Sequence, residues 1–312
     1  MRNSSLTKAL NITHPIIQAP MAGGITTPEL VAAVSNAGAL GSIGAGYMTP
    51  EALQKAIQET KALTDRPFSV NLFVPDEGLE VTEEELRETA DKLDPFLEEL
   101  GTELGDLPTN FAQPFHEQLD VVIREQIPIA SFTFGIPSDD IIARLKEANV
   151  FVIGTATTVN EALELEKAGM DAIVAQGSEA GGHRGTFQTS FAQAMVGTIA
   201  LVPQMADHVN VPLIAAGGIM DARGVLAAEV LGASAVQLGT AFLTCKESGA
   251  HPLHQETILE SYENSTVVTS VFSGKPARGI NNRFIEEMND ESDILPYPVQ
   301  NALTNPLRQE AS

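Results

Sequence analysis

Short, nearly continuous apolar runs recur along the chain at 15–19 (PIIQA), 39–44 (ALGSIG), 68–73 (FSVNLF), 127–134 (IPIASFTF), 150–155 (VFVIGT), 172–176 (AIVAQ), 212–217 (PLIAAG) and 235–240 (AVQLGT). Runs of this length without polar alternation suit parallel strands covered on both faces. Between them lie segments with helical spacing. Eight such strands alternating with helices predict an α/β fold, a (β/α)₈ TIM barrel rather than an open sheet.

An internal echo points the same way. Gly23-Gly24-Ile25 and Gly38-Ala39 recur at Gly217-Gly218-Ile219 and Gly232-Ala233, each pair flanking an Ala-rich helical segment (ELVAAVSNA and GVLAAEVL). Thr27 is placed as the N-cap of the first helix with Pro28 at N1, and the second opens after Asp221. Gly38 and Gly232 sit where a left-handed residue ends a helix, and Gly169 ends another over 160–168.

Two regions stand outside this repeat. Residues 76–106 hold 13 acidic and 2 basic residues, with Leu86, Leu93, Leu97 and Leu100 at helical spacing. Thr82 and Glu85 form a capping-box pattern, and Asp94-Pro95 predicts a break between two short helices. The other region follows the eighth strand and ends in a Pro-rich tail. The expected division is a barrel from 1–74 and 117–243, with 75–116 and 244–312 forming a small helical cap on the substrate side.

Composition narrows the partners. The 41 acidic residues outnumber the 18 basic ones, for a formal charge of −23, so neither nucleic acid nor an anionic membrane is an expected partner. The apolar stretch 211–245 is interrupted by Asp221, Arg223 and Glu229 and is too broken for a membrane span. The first residues, MRNSSLTKAL, lack the long apolar run of a signal peptide. The single cysteine, Cys245, cannot form an intramolecular disulfide, which suits a reducing compartment. A cytoplasmic protein is the expectation.

In barrels the chemistry sits on loops that follow the strands. The loop after the sixth strand reads Gln176-Gly177-Ser178-Glu179-Ala180-Gly181-Gly182-His183-Arg184-Gly185. Its glycines let main chain approach a bound group, and His183 is the candidate for acid/base or electrostatic work. The loops after strands seven and eight, Ala216-Gly217-Gly218-Ile219 and Gln237-Leu238-Gly239-Thr240, together make a candidate monophosphate pocket. Either alone could be a tight turn. No dinucleotide fingerprint or P-loop is present, so a mononucleotide cofactor fits best. Small residues at Ala19, Pro20 and Met21 suit main chain lying along a flat ring. Asn71 and Gln176 offer amides for the polar edge of a flavin, although each could instead serve packing or a turn. The histidines show no HExxH pattern, so no metal is expected, and the nucleophile elbow of a Ser-His-Asp hydrolase is missing.

Several segments resemble, in order, the motifs of class I nitronate monooxygenases, formerly 2-nitropropane dioxygenases. These are QAPMAGGITTPELVAAVSNAGALGSIGAGYM, SFTFGIPS, GTATTVNEA, QGSEAGGHRGTF, AAGGIMD, QLGTAFL and the closing PYPVQNALT. The resemblance runs from about residue 15 to 305. Ala39 departs from the Gly that many members carry. The resemblance implies FMN in the barrel mouth and no metal. Asn71, Gln176, Gly181, Gly217, Gly218 and Gln237-Leu238-Gly239-Thr240 would bind FMN, the last group at its phosphate. Main chain at Ala19–Met21 would lie along the isoalloxazine, and His183 would be the catalytic residue. It further implies oxidation of alkyl nitronates such as propionate 3-nitronate with O₂, giving an aldehyde or oxo-acid plus nitrite or nitrate. Tyr47, Tyr297 and Arg308 are candidates for a substrate carboxylate, with packing an equal reading of each.

Other readings remain beside this one. An FMN-dependent NAD(P)H reductase for enoyl-acyl-carrier or quinone substrates would share the AGGH and GGI loops. An inosine-monophosphate-dehydrogenase-like barrel would need a cysteine in the loop after strand six, where this chain has none. A flavin-binding protein without turnover would not depend on His183.

Overall fold

The eight strands form in the predicted order as Ile16–Gln18, Gly41–Gly44, Phe68–Phe73, Ile129–Thr133, Phe151–Ala156, Ala172–Gln176, Leu213–Ala216 and Ala235–Leu238. In this computed structural model, residues 4–76, 81–109, 111–288 and 290–311 are described. Each of these strands pairs in parallel with its neighbour in sequence from strand two to strand eight. Strand eight pairs with strand one through Ile16↔Val236. A parallel bridge between Ile17 and Leu40 then joins strand one to the start of strand two and closes the barrel.

The helices follow from local chemistry. Helix Pro28–Asn36 begins where Thr27 Oγ1 accepts from Leu30 N–H, with Pro28 in the first turn. It ends at Gly38, whose φ of +86° few other residues adopt without strain. Leu30, Val31 and Val34 are its larger buried apolar side chains, each worth roughly 1.5–3 kcal/mol of transfer from water. The matching helix Ala222–Val230 is capped by Asp221 and followed by Gly232 at φ +107°.

A helix at Ser5–Ala9 closes one end of the barrel. Its Leu6, with Leu10 just beyond, packs into the interior cluster containing Ile129, Ala172 and Ala235, the first residues of strands four, six and eight. That plug occupies the N-terminal end, so a ligand is left the C-terminal ends of the strands.

By its contacts the chain divides into two compact units, Met1–Pro75 with Gln113–Gln255, and Asp76–Ala112 with Glu256–Ser312. Residues 75, 113–116 and 244–255, assigned above to the cap, thus fall in the barrel unit. Residues 77–80, 110, 289 and 312, within the same predicted cap, lie outside the described residues. The second unit has its own core, in which Leu86, Leu93 and Leu97 meet Val271, Phe284, Val299 and Leu303. It also contains an antiparallel hairpin, Thr266–Thr269 with Ala277–Ile280.

The predicted break at Asp94-Pro95 does not occur. One helix runs from Glu83 to Glu99 straight through Pro95, opened by the Thr82–Glu85 capping box. An internal proline costs a helix about 3 kcal/mol. Leu93 and Leu97 flank it and are 0% and 1% exposed, so their burial offsets that cost. Tertiary packing overrides the local signal.

Candidate active site

The glycine loops converge at the C-terminal ends of the strands. A Cβ built on Gly181 would lie 3.4 Å from Thr240 Oγ1, and one on Gly239 would lie 3.6 Å from Ala19 Cβ and 3.9 Å from Met21 Sδ. The loops after strands one, six and eight therefore come together at this end of the barrel. Gly217 and Gly218 take φ of +112° and +69°, and a Cβ on Gly218 would meet Glu179 Cβ at 3.2 Å. Ala19 N–H donates to Leu238 O, which ties strand one to the end of strand eight. Gln237 sits in register with Ile17 and Ala216 and is half-buried. Pro20, between Ala19 and Met21, is half-buried as well.

The strand-six loop is pinned by side chains that the sequence reading left unassigned. Arg184 is 1% exposed. Its guanidinium donates to Gln176 Oε1 (3.1 Å), Gln176 O (3.1 Å), Gly177 O (2.5 Å) and Ala194 O (2.9 Å). Gln176 Oε1 also accepts from Gly185 N–H, and its Nε2 donates to His183 O at 3.0 Å. In this structure the Gln176 amide thus turns into its own loop, leaving one Nε2 hydrogen for a ligand. Farther along, Glu161 is wholly buried. It accepts from Thr157 N, Thr157 Oγ1 and Thr158 N at one oxygen, and from Phe187 N and Gln188 N at the other. Glu179 accepts from Thr198 N and Oγ1, and Thr198 Oγ1 also lies 3.0 Å from Gly217 O. That contact links the strand-six loop to the strand-seven loop.

The capping-box spacing of Thr158 and Glu161 was a signal readable in the sequence. Arg184 carried none beyond standing next to His183.

His183 is half-buried and stands at the end of a row of rings. Its imidazole meets Phe134 edge-on at 5.5 Å and Phe73 at 6.5 Å. Phe73 lies 4.6 Å from Phe134 and 5.6 Å from Tyr47. The Phe73 ring fills the place of a side chain at residue 46, since a Cβ on Gly46 would come within 2.2 Å of it. Phe134 holds φ +76°, a left-handed conformation costing a non-glycine residue about 1–2 kcal/mol.

Asn71 is buried on strand three, and its Nδ2 donates to Ser131 Oγ (2.9 Å) and Thr133 Oγ1 (3.2 Å) on strand four. Both amide hydrogens are spent in the barrel wall, leaving Oδ1 as the group that can face a ligand. Tyr47 belongs to the barrel unit, whereas Tyr297 and Arg308 belong to the second unit. There Arg308 donates to Asn301 O and Oδ1, and the Lys275 ammonium lies 5.9 Å from the Tyr297 ring centre. Burial pushes the Lys275 amine down, partly countered by Asp76.

Asp221, capping the helix after strand seven, is held at about 2 by hydrogen bonds from Arg223. A depressed carboxyl adds stability above its unfolded value of about 3.9, and loses it as pH falls through the folded value. Asp221→Ala is therefore expected to lower the thermal midpoint by an amount constant from pH 7 to 5 and shrinking only below about pH 4. A gap that narrows between pH 7 and 5 contradicts the assignment.

Among the described residues no group of three or more His, Cys, Asp or Glu is placed to hold a metal ion, and no helix is long and apolar enough to cross a membrane.

Residues 3–312 match the family model for nitronate monooxygenase. The chain belongs to the nitronate monooxygenase family. A relative from Staphylococcus haemolyticus, named a probable nitronate monooxygenase, is 53% identical over 99% of this chain and 87% of its own. A nitroalkane oxidase from Streptomyces ansochromogenes superposes with a TM-score of 0.91 at 40% identity, covering 99% of this chain and 87% of that one. FabK from Thermotoga maritima superposes at 0.75 with 32% identity, covering 99% and 96%. As a member of the nitronate monooxygenase family the chain is an enzyme, built on the TIM barrel described above.

Proposed function

We propose that this nitronate monooxygenase family member binds FMN at the C-terminal ends of its strands. With O₂ it oxidises alkyl nitronates such as propionate 3-nitronate to an aldehyde or oxo-acid plus nitrite or nitrate. The observation that carries this reading is the close approach of Gly181, on the loop that bears His183, to Thr240, and of Gly239 to Ala19 and Met21. The donor set fits the cofactor. Main-chain N–H groups at Gly217, Gly218 and Gly239 with the Thr240 hydroxyl suit a phosphate, and Ala19–Met21 suit the face of a flat ring. Asn71 Oδ1 and the remaining Gln176 N–H suit its polar edge.

Bound FMN supplies one-electron transfer between nitronate and dioxygen. The chain's own residues bind and orient. A nitronate is already a carbanion equivalent, so His183 need take no proton from it. Its imidazole donates a hydrogen bond that aligns the anion, and Phe73 and Phe134 keep water from the ring's apolar side. Tyr47, beside Phe73, is the candidate in the barrel unit for a substrate carboxylate.

The test is anaerobic mixing of the purified flavoprotein with propionate 3-nitronate and, separately, with NADH or NADPH, following flavin absorbance. A response to the nitronate alone is expected. His183→Ala should keep FMN yet lower kcat/KM about ten- to hundredfold, the worth of one hydrogen bond to a charged group. No response to nitronate overturns the proposal. The AGGH and GGI loops also suit one other reading, an FMN-dependent NAD(P)H reductase on the same scaffold, and rapid bleaching by a reduced nicotinamide would establish it. A protein that bound flavin without turnover would give neither response.

A further inference from the structure

We propose that the outer face of helix Ala222–Val230 docks a second copy of this chain in a two-fold dimer, an inference independent of the nitronate reading above. The helix lies in the barrel unit and packs inward through Ala228, its one buried residue. Ala222, Leu226 and Val230 follow one another at four-residue spacing on the side turned to solvent, with Arg223 and Ala227 beside them. Leu226 is 61% and Val230 87% exposed. Other barrel helices turn charge outward, as at Glu51, Lys55 and Glu59 of Pro50–Leu63 and at Asp140, Arg144 and Glu147 of Asp139–Glu147. A helix apolar on both faces has instead the pattern of one covered on both sides.

The apolar face extends beyond this helix. Thr198 Oγ1 donates to Gly217 O, which sets the first turn of helix Thr198–Ala206 beside the loop that carries Met220. A Cβ on Gly232 would lie 2.8 Å from Ala206 Cβ, so the C-terminal ends of the two helices adjoin as well. Ile199 and Met220, both exposed, thereby flank the N-terminal end of the face. A standard interface takes about 800 Å² from each partner. A single helix of 9 residues presents less than that, and these two side chains enlarge the patch.

Charge decides the occupant. The chain carries a formal charge of −23, so two copies repel wherever their carboxylates meet. The helix has no carboxylate between Asp221, which is ion-paired with Arg223, and Glu229. Arg223 and Glu229, opposite in sign, stand at equal distances either side of Leu226. Two such helices packed antiparallel about a two-fold axis at Leu226 set Leu226 against its own copy, Ala222 against Val230, and Arg223 against Glu229 of the second copy. Arg223 keeps N–H donors beyond those given to Asp221, and a carboxylate accepts at both oxygens, so neither has to leave its other contacts. A face complementary to itself fits a second copy in particular.

The purified protein should sediment as a dimer at micromolar concentration. Leu226→Glu should weaken that dimer about thirtyfold or more, as loss of a central anchor does, with the circular dichroism unchanged because the position is exposed. Arg223→Glu and Glu229→Arg should each weaken it about tenfold, since each sets like charges together. Mixed in equal amounts, these two variants should regain the parental affinity, because every contact across the axis then joins unlike charges. No contact within one chain can produce that rescue, as the two positions are too far apart along one helix to meet. In a Cys245→Ala background, Leu226→Cys should give a disulfide-linked dimer on treatment with oxidised glutathione, and Val230→Cys should not, since it faces Ala222. A parent protein that stays monomeric, a dimer indifferent to Leu226→Glu, a mixture no tighter than either variant alone, or equal crosslinking at 226 and 230 overturns the proposal.

Discussion

Replacing Arg184 by methionine is expected to lower the free energy of unfolding by about 3–5 kcal/mol in a urea titration. Methionine has nearly the length of the arginine stem but none of its donors. The substitution leaves Gln176 Oε1, Gln176 O, Gly177 O and Ala194 O facing a space only 1% exposed. Gln176 Oε1, Gly177 O and Ala194 O each keep one other donor, the N–H of Gly185, Ala180 and Val196, so what is lost is hydrogen bonds to a buried charge, about 1.5–3 kcal/mol each and less where a water can enter. Arg184→Lys should recover part of the loss, because one ammonium cannot reach as many acceptors as a planar fork. Function should fall along with stability. Gln176 loses one of the two donors to its Oε1, and its amide holds the carbonyl of His183. Hydrogen exchange at Gly185 N–H, whose acceptor is Gln176 Oε1, should quicken before the barrel as a whole unfolds. A methionine variant within about 1 kcal/mol of the parent would mean that the loop holds itself.

Glu161→Gln, an isosteric change, is expected to destabilise by about 2–4 kcal/mol. Every contact of the Glu161 carboxylate is with a donor. Thr157 N, Thr157 Oγ1 and Thr158 N lie at one oxygen, and Phe187 N and Gln188 N at the other, between 2.7 and 3.2 Å. A glutamine must point its NH₂ at one of these sets, setting donor against donor. If the amide faces Phe187 and Gln188, the far end of the strand-six loop opens. If it faces Thr157 and Thr158, the helix Val159–Lys167 loses the carboxylate half of its capping box. Exchange at the amides of 157–158 and 187–188 distinguishes the two orientations. Full stability in the glutamine variant, to within about 0.5 kcal/mol, would contradict the role assigned to Glu161.

The strands were readable because their apolar runs carry their own signature and because glycine ends the helices at 38, 169 and 232. The loops bearing His183, Gly217, Gly218 and Gly239 were readable too, since position after a barrel strand is itself a functional cue. Arg184 and the long reach of Glu161 beyond its own capping box were not. Arg184 bonds residues on both sides of its own loop, and Glu161 reaches 26 and 27 residues along the chain to Phe187 and Gln188. Pairings of that kind exist only once the barrel has brought the segments together. The same holds for Gln176, whose amide suggested a ligand contact in sequence and in the structure largely serves its neighbours.

What the sequence alone determined, then, is periodic and local. It set the alternation of strand and helix, the caps at Thr27, Thr82 and Asp221, and the placing of glycine-rich turns after strands six to eight. These depend on residues within a turn or two of one another, where spacing is a sufficient guide. Tertiary structure decided the rest. Helix Glu83–Glu99 passes through Pro95 because the leucines around it find a core. Phe134 accepts a left-handed backbone because of the rings it meets. The His183 loop is held by a buried guanidinium and a buried carboxylate. In each case a local cost is met by contacts with residues distant in sequence, and no local pattern encodes those contacts.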